Sequence, residues 1–362
     1  LESITLPFVG ASENSAGYEQ VFGYIFGYTT SSSGTFVNGA TYQYHDLSKT
    51  YGYYHYYIPS SLKEVTITGG TINSFAFNNC SRLTSITVPD SANSIGTRAF
   101  YNCRGLKNVE IPSSVDYIDN EAFAYCSGLT SVVIGKGVTA IGNSAFYNCG
   151  LTSVKIPDNV GYIGDMSFKS CKGLKGVEIG CGVNYIGDAV FENCALETIT
   201  VESENKAYYS SNNCLVENKT KKLIVGCENS YIPNEGSVIS IGEKSFAYSD
   251  LSSVIIPYSV IYVCPYAFYN CGNLKIVIVG DSVVSIGERS FAFCEQLTEV
   301  TISLSATSIG DWAFYDCIAL TTINFKGTTA QWKAVDKGNG WHYNIPSDCI
   351  IKCTNGVLSI ND

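Results

Sequence analysis

The sequence is poor in the residues that most enzyme chemistry draws on. Its 362 residues include three histidines, and none of His45, His55 and His342 falls in a repeating unit. A Ser/His/Asp or Cys/His relay would therefore have to be assembled from residues that share no spacing. Basic residues are scarce: 22 Lys and Arg against 32 Asp and Glu give a formal net charge of −10. A chain without a basic stripe repels phosphate backbones, which sets nucleic acid aside as a partner. No apolar run approaches the ~18 residues of a membrane span. Gly338-Asn339-Gly340 lacks the lysine and the strand-to-helix setting of a phosphate loop. Glu110 and Glu178 fall on strand faces at least two repeats apart, so no acid/base pair can be singled out. His342 with Cys349 and Cys353 is one ligand short of a structural zinc set. No catalytic residue, cofactor or metal is expected, and the chain reads as a non-enzyme.

Cysteine, by contrast, is abundant: there are 15. In a secreted protein that count would normally suggest a disulfide framework. Their placement argues otherwise. Cys80, Cys103, Cys126, Cys149, Cys171, Cys194, Cys271, Cys294 and Cys317 each follow a Phe by three residues, and Ser249 fills the same slot after Phe246. A slot that accepts Cys or Ser holds a small buried group, not an obligatory half-cystine.

The cysteines mark a repeat. Leu83, Leu106, Leu129, Leu151, Leu174 and Leu196 recur at steps of 23, 23, 22, 23 and 22, and Leu251, Leu274, Leu297 and Leu320 at steps of 23. Within one unit Leu106, Val109 and Ile111 alternate with polar residues, which predicts a half-buried strand. Pro112 ends ladder pairing. Val115 and Ile118 form a second apolar pair. Ala122, Phe123 and Cys126 follow at helical spacing, which predicts about one turn of helix. Glycine follows the second Ile in most units, as in Ile141-Gly142, and predicts a tight turn with positive φ. Asp119 and Cys264 stand in that slot elsewhere, and Cys264 suggests an altered turn. A single unit cannot close a core, so stacking must bury these residues in continuous ladders. About thirteen stacked strands are expected, one of them near Ser230–Ile232.

The motif Leu-x-x-Val-x-Ile-Pro-x-x-Val-x-x-Ile-Gly-x-x-Ala-Phe-x-x-Cys resembles the BspA-type leucine-rich repeats of surface proteins from oral and gut anaerobic bacteria. It is closest to type in 106–129, 129–151 and 297–320, and the resemblance covers about 62–325. It implies an α/β repeat solenoid, a curved leucine-rich-repeat stack with a parallel concave sheet and short helical turns on the convex side. It further implies a secreted or cell-surface adhesion protein. Leu1–Leu6 is already a repeat strand, so the chain is expected to be an excised or processed segment whose targeting signal and anchor lie elsewhere.

Three segments depart from the period. Residues 1–61 form an atypical first repeat, rich in Gly, Ser and Tyr, whose aromatics are expected to cap the N-terminal edge. Around 202–229, Cys214-Leu215-Val216 and Leu223-Ile224-Val225 flank a polar turn, which predicts an inserted hairpin with Cys214 and Cys227 close enough to raise the question of a disulfide. In 326–362, Thr328 and Gln331 have capping-box spacing and predict a helix from Thr329 to about Val335. Asn355-Gly356 predicts a closing hairpin, making this segment a C-terminal cap.

Outward strand positions follow from the alternation and are mostly Ser and Thr. One run differs: Tyr231, Ile255, Ile276 and Ile278 are expected side by side on consecutive strands. Contiguous exposed apolar area marks partner sites, so a protein partner on the concave face is the leading reading unless the 202–229 hairpin covers the patch. The alternatives are a carbohydrate site built from Tyr51, Tyr53, Tyr54, Tyr56 and Tyr57, whose faces suit sugar stacking, or a passive stalk.

Overall fold

The computed structural model of the chain describes residues 1–10, 21–26, 28–29, 40–46 and 53–361. They form two compact units, Leu1–Phe191 and Glu192–Asp362. Both are stacks of three-sided coils. The first side is the predicted strand: in Asn108–Ile111 exposure and burial alternate, with Val109 and Ile111 inward. It pairs in parallel with the next coil without a shift, Val109 opposite Val132 and Ile111 opposite Ile134. The second side is a two-residue strand such as Tyr117–Ile118. Five of these make one parallel sheet in the first unit, ordered as in the chain from Ser94–Ile95 to Tyr185–Ile186.

The third side is not helical. Ala122, Phe123 and Cys126 do share a face, but only alternate amides bond within the coil. Ala122 N–H donates to Asp119 (3.3 Å), Ala124 N–H to Glu121 (3.1 Å) and Cys126 N–H to Phe123 (3.2 Å). The intervening amides reach the next coil, with Glu121 donating to Asn143 (2.9 Å), Phe123 to Ala145 (2.7 Å) and Tyr125 to Tyr147 (2.7 Å). Such a zigzag requires left-handed residues, and Glu121 (φ 53°) and Tyr125 (φ 63°) supply them. The side chains keep a helix-like spacing while the backbone forms a hydrogen-bonded ladder of turns. Among the described residues the only α-helix is Thr329–Ala334 in the C-terminal segment.

The glycine slot also corrects the expectation. Gly96, Gly142, Gly164 and Gly187 have no positive φ; the left-handed residues lie two and six positions later, as at Ser144 and Asn148. Glycine is favoured at these positions because neighbouring coils approach closely. A Cβ on Gly96 would sit 2.4 Å from the Ser74 backbone nitrogen, and one on Gly142 2.7 Å from that of Asn120. Cys264 leaves the turn unaltered: its N–H donates to Ile241 at 2.9 Å, as Gly142 N–H donates to Ile118 at 2.7 Å.

Repetition stacks like side chains on like. In the first unit Phe77, Phe100, Phe123 and Phe146 are fully buried, with successive ring centroids 5.2, 4.9 and 5.2 Å apart and planes within 9°. Phe246, Phe268, Phe291 and Phe314 repeat this in the second unit, where Trp341 closes the row edge-on at 6.3 Å. The cysteine row runs beside it. Cys126 Sγ donates to the Phe100 carbonyl (3.0 Å) and Cys149 Sγ to that of Phe123 (3.1 Å), so each thiol bonds to the coil before it. None of the 15 cysteines is joined in a disulfide. In-register residues carry parallel Cβ vectors about 4.8 Å apart, wider than the Cβ separation a disulfide needs.

Burial pushes the thiols of Cys80 and Cys317 far up, and those of Cys214 and Cys227 to about 12 from 9.0. Thiols of the unfolded chain ionise first. The stability associated with these groups is therefore complete below pH 9 and is lost as pH rises towards 12. Urea midpoints should fall steeply across that window, and blocking thiols in the unfolded state should prevent refolding at any pH.

At the N-terminal end Phe22 packs on Phe77 at 5.0 Å, and Val21 and Tyr56 are buried beside it. In the second unit the hairpin of Cys214–Glu217 and Lys222–Gly226 gains a third antiparallel strand, Tyr208–Ser211. Its last strand pairs in parallel with Ser240–Ile241 and so joins the short-strand sheet. Cys214 lies opposite Gly226 rather than Cys227. No strand forms at Ser230–Ile232. Ser230 is committed to the hairpin, its hydroxyl accepting from Cys227 N–H (2.7 Å) and donating to the Asn213 carbonyl (2.7 Å). At the C-terminal end Thr328 and Gln331 form the capping box of the Thr329–Ala334 helix. Ile350–Cys353 and Gly356–Ser359 form the closing hairpin, but its loop is Thr354-Asn355, since Cys353 pairs with Gly356.

Candidate functional site

The long-strand face of the second unit runs from Ser253–Ile256 through Ile276–Val279, Glu299–Ile302 and Thr322–Phe325 to the closing hairpin. Pairing places two rows of outward residues on it. Ser253, Ile276, Glu299, Thr322 and Ile350 make one row; Ile255, Ile278, Thr301, Asn324 and Lys352 make the other. Alternation sends Val254, Ile256, Val277 and Val279 inward, and their burial forces the remaining isoleucines out. Ile255 is 66% exposed, Ile276 42% and Ile278 40%. Ile255 and Ile278 are direct cross-strand partners, and Ile276 lies two residues along from Ile278 on the same face.

The fourth predicted member is placed differently. Tyr231 is 80% exposed, but it lies in the segment that forms no strand. The 202–229 hairpin does not cover the isoleucines; it extends the short-strand sheet instead. The corresponding face of the first unit is more polar. Lys155 and Glu178, opposite each other on adjacent strands, form an exposed ion pair of 3.0 Å.

Of the N-terminal tyrosines, Tyr56 is buried and has no free face. Tyr51 and the side chains of Tyr53, Tyr54 and Tyr57 lie outside the described residues, although Tyr53–Pro59 is a strand. His45 and His55 have side chains outside the described residues too. His342 borders a cavity of about 500 Å³ in the C-terminal segment together with Trp332, Lys333, Lys337, Trp341, Ile360 and Asn361. Its Nδ1 is buried with no hydrogen-bond partner, and burial lowers its pKa. Among the described residues no carboxylate bonds to this nitrogen, as one would to orient a general base. Among the described residues no three His, Cys, Asp or Glu side chains cluster as a metal site would, and no helix is long and apolar enough to cross a membrane.

One exposed aromatic row escaped the sequence reading. Tyr117, Tyr162 and Tyr185 precede the second isoleucine of their coils and lie on the short-strand face of the first unit. The signal was present: a residue next to an inward Ile on a strand must point outward.

A sequence profile described as "BspA type Leucine rich repeat region" matches in six copies across residues 49–175, 94–215, 139–235 and 221–334. No curated protein sequence matches significantly. Among solved structures, a leucine-rich cell surface protein from Faecalibacterium prausnitzii A2-165 is similar at 29% identity and a TM-score of 0.56, with 76% of each chain covered. A leucine-rich repeat protein from Bacteroides ovatus ATCC 8483 is similar in fold at 21% identity and a TM-score of 0.51, covering 89% of this chain and 100% of that one. The pneumococcal vaccine antigen PcpA is similar in fold at 15% identity and a TM-score of 0.54, covering 91% and 88%.

Proposed function

We propose, for a chain that belongs to the BspA-type leucine-rich-repeat family, that it is a binding module of a secreted or cell-surface protein and not an enzyme. Its partner in this reading is a protein, held on the long-strand face of the second unit. The observation that carries it is the isoleucine patch: Ile255, Ile276 and Ile278 are exposed on adjacent strands, and apart from the half-buried Ile350 at the far edge the rest of the face is Ser, Thr, Glu, Asn and Lys. Apolar side chains on a rigid sheet, rimmed by polar groups, are what a desolvated hot spot needs. The surface location rests on the family and on the F. prausnitzii relative's description as a cell surface protein. The segments 1–61 and 326–362 act here as caps, in keeping with Phe22 packed on Phe77 and Trp341 on Phe314.

The test is a binding screen of the purified chain against extracellular-matrix and mucosal proteins, with Ile276→Glu in parallel. Burying an unpaired carboxylate in a protein interface costs several kcal/mol, so binding should fall at least about a hundredfold. Ile276 is exposed in the free chain, so the melting temperature should not change. Binding unaffected by Ile276→Glu would remove this face from consideration.

A further inference from the structure

The exposed tyrosines of the first unit form a second, chemically different surface. Each short strand presents one outward residue, and pairing sets them in the order Ser94, Tyr117, Ala140, Tyr162, Tyr185. Tyr117 is 53% exposed, Tyr162 40% and Tyr185 45%. Tyr162 and Tyr185 stack at 4.9 Å with planes 4° apart. Between Tyr117 and Tyr162 the row holds only the methyl group of Ala140, so one aromatic place is empty and its floor is half-exposed.

The width of this gap selects its occupant. Two coil steps of 4.9 Å separate the walls by 2 × 4.9, or about 10 Å. Carbon contacts of about 3.5–4.0 Å on each wall take up about 7–8 Å and leave about 2 Å for the ligand's own thickness. A flat aromatic ring has almost none and would touch only one wall. A puckered saturated ring offers C–H groups on both faces, and an axial substituent brings its thickness close to that figure.

The margins carry the complementary polar groups. Three residues beyond each outward position runs the row Asn120, Asn143, Asp165, Asp188, in which a side-chain oxygen of each of the first three accepts the N–H of the next member at 2.8, 2.9 and 2.9 Å. These bonds use one oxygen of each linking residue, which leaves both asparagine NH2 groups and the second carboxylate oxygen of Asp165 for hydroxyl groups. The row borders the tyrosines: burial first, then Asp165, Tyr162 and Asp188 raise the phenol pKa of Tyr185. On the opposite margin Thr139 donates to Asp116 at 2.7 Å.

We propose that the gap over Ala140, walled by Tyr117 and Tyr162, is a subsite for one pyranose ring of an oligosaccharide. Tyrosine faces meet its C–H groups, and the Asn/Asp row meets its hydroxyls. This is a glycan site distinct from the isoleucine face. The corresponding row of the second unit places Tyr262 between Ser240 and Ser285, so no aromatic wall faces it there.

Titration calorimetry of the full chain with cellotetraose, mannotetraose and tri-N-acetylchitotriose tests this. At least one should bind. Tyr162→Ala should weaken that binding about tenfold, the scale of one lost stacking wall. Ala140→Tyr should abolish it while leaving the melting temperature unchanged or higher, because it only fills the row. Tyr117→Ser, which alters one exposed side chain, provides the same test if Ala140→Tyr does not fold. Ile276→Glu should have no effect, so this site and the protein-binding face fail independently. Binding of none of the three sugars, or binding that survives both Ala140→Tyr and Tyr117→Ser, would overturn the assignment.

Discussion

Replacing Phe146 by Ala should destabilise the folded chain by about 3–5 kcal/mol. The ring is fully buried and stacks on Phe123 and Phe168 at 5.2 Å on either side. Truncation removes the transfer free energy of the ring and opens a cavity, and the cost depends on how far the surroundings collapse. Here they are held apart. Phe146 N–H donates to Ser167 (2.7 Å) and Phe123 N–H to Ala145 (2.7 Å), so hydrogen bonds on the turn side fix the distance between rings. Urea unfolding of the two proteins measures the difference, and an unchanged m-value would place it in stability rather than compactness. A loss below about 1 kcal/mol would mean that the coils can close over the gap, contrary to the ladder described above.

Asn148→Pro should cost about as much, on the order of 3 kcal/mol or more, and for a separate reason. Asn148 has φ 55°, and its N–H donates to the Lys169 carbonyl at 2.9 Å. Proline fixes φ near −65° and has no N–H, so it opposes both features at once. The informative companion is Asn148→Gly. In a helical turn glycine would lose roughly 0.5–1 kcal/mol. In the left-handed conformation it should be neutral or stabilising, because Gly occupies that region freely. The sign of this one difference in thermal unfolding separates a ladder of turns from a helix.

The same comparison shows which parts of the fold were legible in the sequence. Strand alternation was, because a period of two forces Val109 and Ile111 to one side whatever surrounds them. So was the identity of the cysteine slot, since a repeat that accepts Ser249 cannot depend on disulfides. The helical reading of Ala122, Phe123 and Cys126 failed because side-chain spacing does not report where amides bond. Half of them bond to a neighbouring coil 22 residues away. The glycine slot was misread for the same reason: its constraint is the Ser74 backbone 2.4 Å from the would-be Cβ of Gly96. Local sequence gives no such distance.

The candidate site divides in the same way. Ile255, Ile276 and Ile278 were legible because they belong to strands, and Tyr231 was misplaced because the hairpin draws Ser230 out of the stack. Tyr56, counted as a sugar contact, lies in the core. The Tyr117–Tyr185 row is harder to read, because it stands on strands of two residues, too short to show the alternation that marks the long strands.

Site-specific photo-crosslinking tests the central claim most directly. Benzoylphenylalanine is introduced in place of Ile278 in one protein and in place of Val133, an exposed long-strand residue of the first unit, in another. Both are irradiated with the matrix and mucosal proteins of the binding screen. A partner adduct from position 278 and none from position 133 is the predicted result. Adducts from both positions alike, or from neither, would contradict a protein-binding face at Ile255, Ile276 and Ile278.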